Sequence, residues 1–90
     1  MTSLLSRKPR THELKCWPEY FLAVRDGRKP FEVRKNDRDF RTGDALILRE
    51  WNPFRESYTG HRCNVDVTYV LHGGQFGIEK GYVVMGIRHV

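Results

Sequence analysis

Apolar and polar residues alternate with a period of two along much of this chain, the pattern of strands with one buried face. The clearest run is residues 61–71, where Cys63, Val65, Val67, Tyr69 and Leu71 alternate with Arg62, Asn64, Asp66, Thr68 and Val70. Residues 11–15 repeat the pattern on a smaller scale, with His12 and Leu14 opposite Glu13 and Lys15. Residues 45–51 start apolar on both faces (Ala45, Leu46, Ile47, Leu48) and end polar, as a strand leaving a core does. Residues 31–35 and 82–87 complete five predicted strands.

One segment changes period. Trp17, Tyr20, Phe21 and Val24 fall at i, i+3, i+4 and i+7, a helical stripe expected to face the core. Pro18 suits a first turn, Glu19 complements the dipole there, and Gly27 stops the helix. Turn residues separate the rest: residues 36–39, Thr42-Gly43-Asp44, a loop over residues 52–60 opened by Asn52-Pro53, and the glycine-rich residues 72–77. The order predicts an α+β, mainly β domain: a small, mostly antiparallel, partly closed barrel with one covering helix.

Length and charge narrow this. Ninety residues support one core, so residues 11–90 are expected as a single domain and residues 1–10 as a flexible basic arm. No window approaches the roughly 18 apolar residues of a membrane span. Cys16 and Cys63 allow at most one disulfide, and nothing at the N-terminus argues for secretion, so the expected location is cytoplasmic. The net charge of +5 is unevenly spread: the arm and residues 25–41 each carry +3, while residues 42–90 are neutral. Residues 27–38 place seven charges in twelve positions. Within them Phe31 and Val33 share one face of the strand and Glu32 and Arg34 the other.

Several separated blocks resemble a known family. His12-Glu13-Leu14-Lys15, Phe21 before Gly27-Arg28-Lys29, the run from Phe31 to Phe40, Gly43-Asp44, Glu50-Trp51, Tyr58-Thr59-Gly60 and Gly81-Tyr82-Val83-Val84-Met85 are similar to the ASCH group of the PUA-like superfamily. More narrowly they resemble its DUF3850 branch of short bacterial and phage proteins. The resemblance implies a PUA-like mixed pseudo-barrel with a cleft between barrel and first helix, a shape associated with RNA binding. The group's Gly-x-Lys-x-x-Glu-x-Arg motif is met at Gly27, Lys29, Glu32 and Arg34. Certain relatives are amidohydrolases on acetylated cytidine, using a lysine, a threonine and a glutamate; others are described as ribonucleases. The lysine corresponds to Lys29, but the threonine position holds Glu32, and the glutamate lies beyond the alignable region.

The residues themselves leave three uses open. As a binder of RNA or a nucleotide-like ligand, Lys29 and Arg34 contact phosphate or a base edge, Glu32 accepts from an exocyclic amine, and Lys15, Lys35 and Arg38 extend the basic track. Trp51, Phe54, Tyr58 and Tyr82 are the stacking candidates, whereas Trp17, Tyr20, Phe21 and Phe31 have core spacing. As a hydrolase, Lys29 activates and Glu32 shuttles a proton. A third use of the cleft is to seat a protein partner. The bland alternative is an ion-pair network bracing the barrel mouth, with Lys35-Asn36-Asp37-Arg38 a simple turn. His12, Cys16, His61, Cys63 and His72 match no tight zinc spacing, so neither metal nor cofactor is expected.

Overall fold

The alternating segments assemble into one five-stranded sheet in the computed structural model, which describes residues 7–90. The elements are β1 (Thr11–Cys16), α1 (Pro18–Arg25), β2 (Phe31–Lys35), β3 (Ala45–Asn52), β4 (Ser57–His72) and β5 (Tyr82–His89). Spatial order is β1-β3-β4-β5-β2, with β1 parallel to β3 and every other pair antiparallel. The sheet curls into a half-barrel. Its hollow is filled by Leu14 and Cys16 of β1, Leu46 and Leu48 of β3, Cys63, Val65 and Val67 of β4, and Val83, Met85 and Ile87 of β5. Phe21 and Val24 of α1 and Phe40 close it. No described helix is long and apolar enough to cross a membrane.

The two edge strands, β1 and β2, are joined by side chains. Arg34 Nη2 donates to the Lys15 carbonyl at 2.8 Å and Arg38 Nη1 to the Glu13 carbonyl at 2.8 Å. These carbonyls belong to alternate residues and point the same way along the edge of β1, so the guanidinium groups stand where the N–H groups of another strand would.

A buried carboxylate anchors the start of β1 and β3. Asp44 accepts from Arg7 Nη1 and Nη2, the Arg10 N–H and the Arg41 N–H, each at 3.0 Å, and from His12 Nε2 at 2.8 Å. Arg7 was expected in a flexible arm and instead docks on this carboxylate; residues 1–6 of that arm lie outside the described residues. Burial raises the Asp44 pKa, but the hydrogen bonds from Arg7, Arg10, His12 and Arg41 outweigh it and hold the carboxyl well below the usual range.

Three expectations are corrected. The loop foreseen over residues 52–60 is a tight turn at residues 53–56, because β3 runs to Asn52 and β4 starts at Ser57. Asn52 Oδ1 accepts the Phe54 and Arg55 N–H groups at 2.9 and 3.1 Å, an Asx turn. This end of the hairpin is a ribbon with no buried residue in Ser57–Arg62, so it needs no apolar alternation and shows none. Trp17 and Tyr20, expected in the core, are half exposed: an eight-residue helix over so small a barrel buries only Phe21 and Val24. Phe31 was also expected inside. On β2 the burial is inverted: Glu32 is 3% exposed, whereas Phe31 is 41% and Val33 50% exposed.

Stability depends on pH through Asp44. A carboxyl with a depressed folded-state pKa stabilises the fold above its unfolded value, about 3.9, and loses that contribution as pH falls toward the folded value. Urea midpoints therefore drop below about pH 4. Asp44→Asn, costing on the order of 3 kcal/mol at neutral pH, flattens that part of the profile; parallel profiles for the two proteins contradict the assignment.

Candidate functional site

Gly27 adopts φ 81°, a left-handed conformation that glycine reaches without a Cβ penalty, and its N–H bonds to the Val24 carbonyl at 3.0 Å. The chain folds back at once, with the Lys29 N–H on the Ala23 carbonyl at 3.0 Å, and Pro30 leads into β2. This turn delivers Lys29 beside the inward face of β2. Lys29 Nζ meets Glu32 Oε1 at 2.6 Å and the Phe31 carbonyl at 3.0 Å. Arg34, two residues along the same face, donates Nε to Glu32 Oε2 at 3.0 Å. Each oxygen of the buried carboxylate thus has its own cation, the condition for keeping a charge out of water.

The trio forms one wall of a cleft of about 680 Å³ between the sheet and the start of α1. Lys15, Cys16, Trp17, Tyr20 and Val33 supply the rest of the lining. Glu32 neutralises one of its two partners, so with Lys15 the wall keeps a surplus of positive charge. Arg34 uses Nε and one Nη2 hydrogen internally, and its Nη1 makes no hydrogen bond among the described residues. Burial pushes the Cys16 thiol up to about 11, with the Glu32 charge adding to it and Arg34 and Lys29 opposing. At neutral pH this sulfur is a thiol and no nucleophile.

Of the residues singled out from the sequence, Lys15, Lys29, Glu32 and Arg34 converge on the cleft. Lys35 and Tyr82 do not line it; they face each other across the β2–β5 ladder. Arg38 is spent on the Glu13 carbonyl, and Asn36 Oδ1 caps the Phe40 N–H at 2.9 Å, so that block is largely a turn and a seam. Trp51 and Tyr58 pack edge to face at 5.0 Å on the ribbon, outside the cleft. Phe54 is fully exposed at the turn. Glu32, expected to accept from an exocyclic amine, has each of its oxygens held by a cation, Lys29 on one and Arg34 on the other. The sequence reading missed Trp17, Tyr20 and Cys16 as lining residues. Two large aromatics in the first turn of a short helix, more than one narrow stripe can bury, were the available signal.

Among the described residues, no three His, Cys, Asp or Glu gather as a metal site. His12 is engaged by Asp44, and His89 donates Nε2 to the Val24 carbonyl at 2.8 Å while its Nδ1 faces Cys63 Sγ at 3.6 Å.

Residues 11–87 match the family model described as a domain of unknown function, DUF3850. The chain belongs to that family. The matched range takes in β1, α1, the Gly27–Arg34 turn and strand, and the whole cleft. A curated relative is the uncharacterized 12.9 kDa protein in the GpA 3′ region of Escherichia phage P2, 39% identical over 61 residues. That alignment covers 68% of this chain and 54% of the phage protein, so the chain spans about half the length of that relative.

The Glu32 pairing predicts non-additive energetics. Lys29→Met leaves the buried carboxylate with one cation and costs about 3 kcal/mol; adding Glu32→Gln recovers part of the loss. Chemical denaturation of the single and double variants measures this, and a double variant as unstable as the sum of its parts contradicts it.

Proposed function

We propose that this DUF3850 chain binds RNA, or a nucleotide-like ligand, in the cleft around Lys29, Glu32 and Arg34. The observation that carries the reading is the buried Glu32 carboxylate held between two cations. It fixes the Arg34 fork, whose Nη1 makes no hydrogen bond among the described residues, and leaves the wall net positive beside the half-exposed rings of Trp17 and Tyr20. A base stacks on aromatic faces while its phosphate meets Lys15 and Arg34, the usual division of labour in single-strand recognition. Glu32 positions the arginine; it does not touch the ligand.

The rival reading, a hydrolase acting on a modified nucleoside such as acetylated cytidine or on RNA, draws on the 2.6 Å contact of Lys29 with Glu32 in the same cleft. Proton shuttling by this pair requires the ion pair to open, since each member is held by the other.

One series of measurements separates the two. Labelled single-stranded RNA titrated at low and moderate salt binds the wild type more weakly as salt rises. Arg34→Ala lowers affinity about tenfold in a protein whose circular dichroism shows it folded. Absence of binding at low salt overturns the binding reading. Product from RNA or acetylated cytidine that disappears in Lys29→Ala replaces it with the hydrolase.

A further inference from the structure

We propose a second base-stacking subsite on the β3–β4 ribbon, formed by Trp51 and Tyr58 and joined to the cleft by Lys15, so that the ligand is a single-stranded RNA and not a free nucleotide. The inference rests on the binding reading above and deepens it.

Lys15 is the hinge of the argument. It lines the cleft, its carbonyl holds Arg34, and its ammonium lies 3.8 Å over the centre of the Trp51 ring. That ammonium makes no ion pair among the described residues. In the parallel ladder Lys15 stands beside Arg49, so Trp51 is one strand across and two residues along, about 8 Å away by backbone geometry. Adjacent nucleotides of an unstacked strand cover such a step.

Trp51 and Tyr58 lie outside the hydrophobic core. Their orientation is nevertheless set: the rings meet at 76°, Lys15 covers Trp51, and the Arg49 guanidinium carbon lies 3.8 Å over Tyr58. Arg49 pairs with Glu13 at 3.4 Å. A pre-set aromatic pair with a cation at each ring is suited to a base and its flanking phosphates, because stacking accepts any base and the cations follow the backbone. When a base takes the face of Trp51, the Lys15 ammonium moves to the phosphate between the two subsites. Ser57–Arg62 of β4 are exposed and Trp51 of β3 is partly exposed, so a strand leaving the cleft reaches the rings without disturbing the barrel.

The test compares each of the four ribonucleoside monophosphates with a mixed-sequence hexaribonucleotide pool. Trp17→Phe leaves Trp51 as the single tryptophan. The hexamers bind at least about tenfold tighter than any monophosphate and quench Trp51 fluorescence, whereas monophosphates bind without quenching it. Tyr58→Ala and Trp51→Ala each abolish most of the hexamer advantage; Tyr58→Ala leaves monophosphate affinity unchanged, which also shows that this variant folds. Equal affinity for hexamer and monophosphate, or a Trp51 signal unmoved by hexamers, overturns the ribbon subsite and leaves the cleft reading intact. If neither probe binds the wild type, the cleft reading falls and this inference with it.

Discussion

A carboxylate buried to 3% exposure must be paired, and the pairing of Glu32 with Lys29 and Arg34 organises the rest of the molecule. Because Glu32 points inward, β2 turns Phe31 and Val33 to the outside, contrary to what hydrophobicity alone favours. Because Arg34 is held by Glu32 through Nε, its Nη2 reaches the Lys15 carbonyl and ties one edge of the sheet to the other. Because Lys29 must reach Glu32, the chain turns back sharply after α1 at Gly27. The cleft is what remains between these constraints and the exposed start of the helix.

Asp44 plays the corresponding part at the start of β1 and β3, gathering Arg7, Arg10, His12 and Arg41 around one buried anion. Much of the basic surplus is thereby used internally. Arg7 serves Asp44, Arg38 serves the β1 carbonyl edge and Arg41 pairs with Asp39 at 2.9 Å. The net charge of +5 therefore says little about a partner; the ammonium of Lys15, which has no ion pair among the described residues, and the remaining donors of Arg34 say more.

The strands and the helix were legible in the sequence wherever one face meets the core. Residues 61–67 and 45–51 alternate or run apolar because the barrel needs them to, but the expected alternation fails beyond Val67, where a bulge leaves Tyr69 exposed and turns Val70 to the core; Pro18 and Gly27 mark the helix because backbone geometry suits such residues there. The ribbon was not legible: Ser57 to Arg62 contact no core, so nothing forces a periodic pattern on them. The face of β2 was misread for Phe31, since alternation shows that two faces differ but not which is buried when a charged face carries its own counter-ions. The convergence of Lys29, Glu32 and Arg34 followed from strand spacing. That of Lys15 did not, since it depends on the curl that brings β1 to β2, a contact between chain segments far apart in sequence. Trp17 and Tyr20 were assigned to the core because a helical stripe does not reveal how few of its members a short helix buries.

The central claim is that the Glu32-centred ion pairs hold Arg34 as the ligand-reading group of the cleft. Arginine side-chain NMR tests it most directly, by following the Nε–Hε and Nη signals of Arg34 as single-stranded RNA is added. The account predicts a slowly exchanging Arg34 Nε–Hε signal in the free protein, retained on titration while the Nη signals and the amides of Lys15, Tyr20 and Lys29 shift. Shifts confined to the surface around Phe76 and Tyr69, away from the cleft, with Arg34 unmoved, would contradict it.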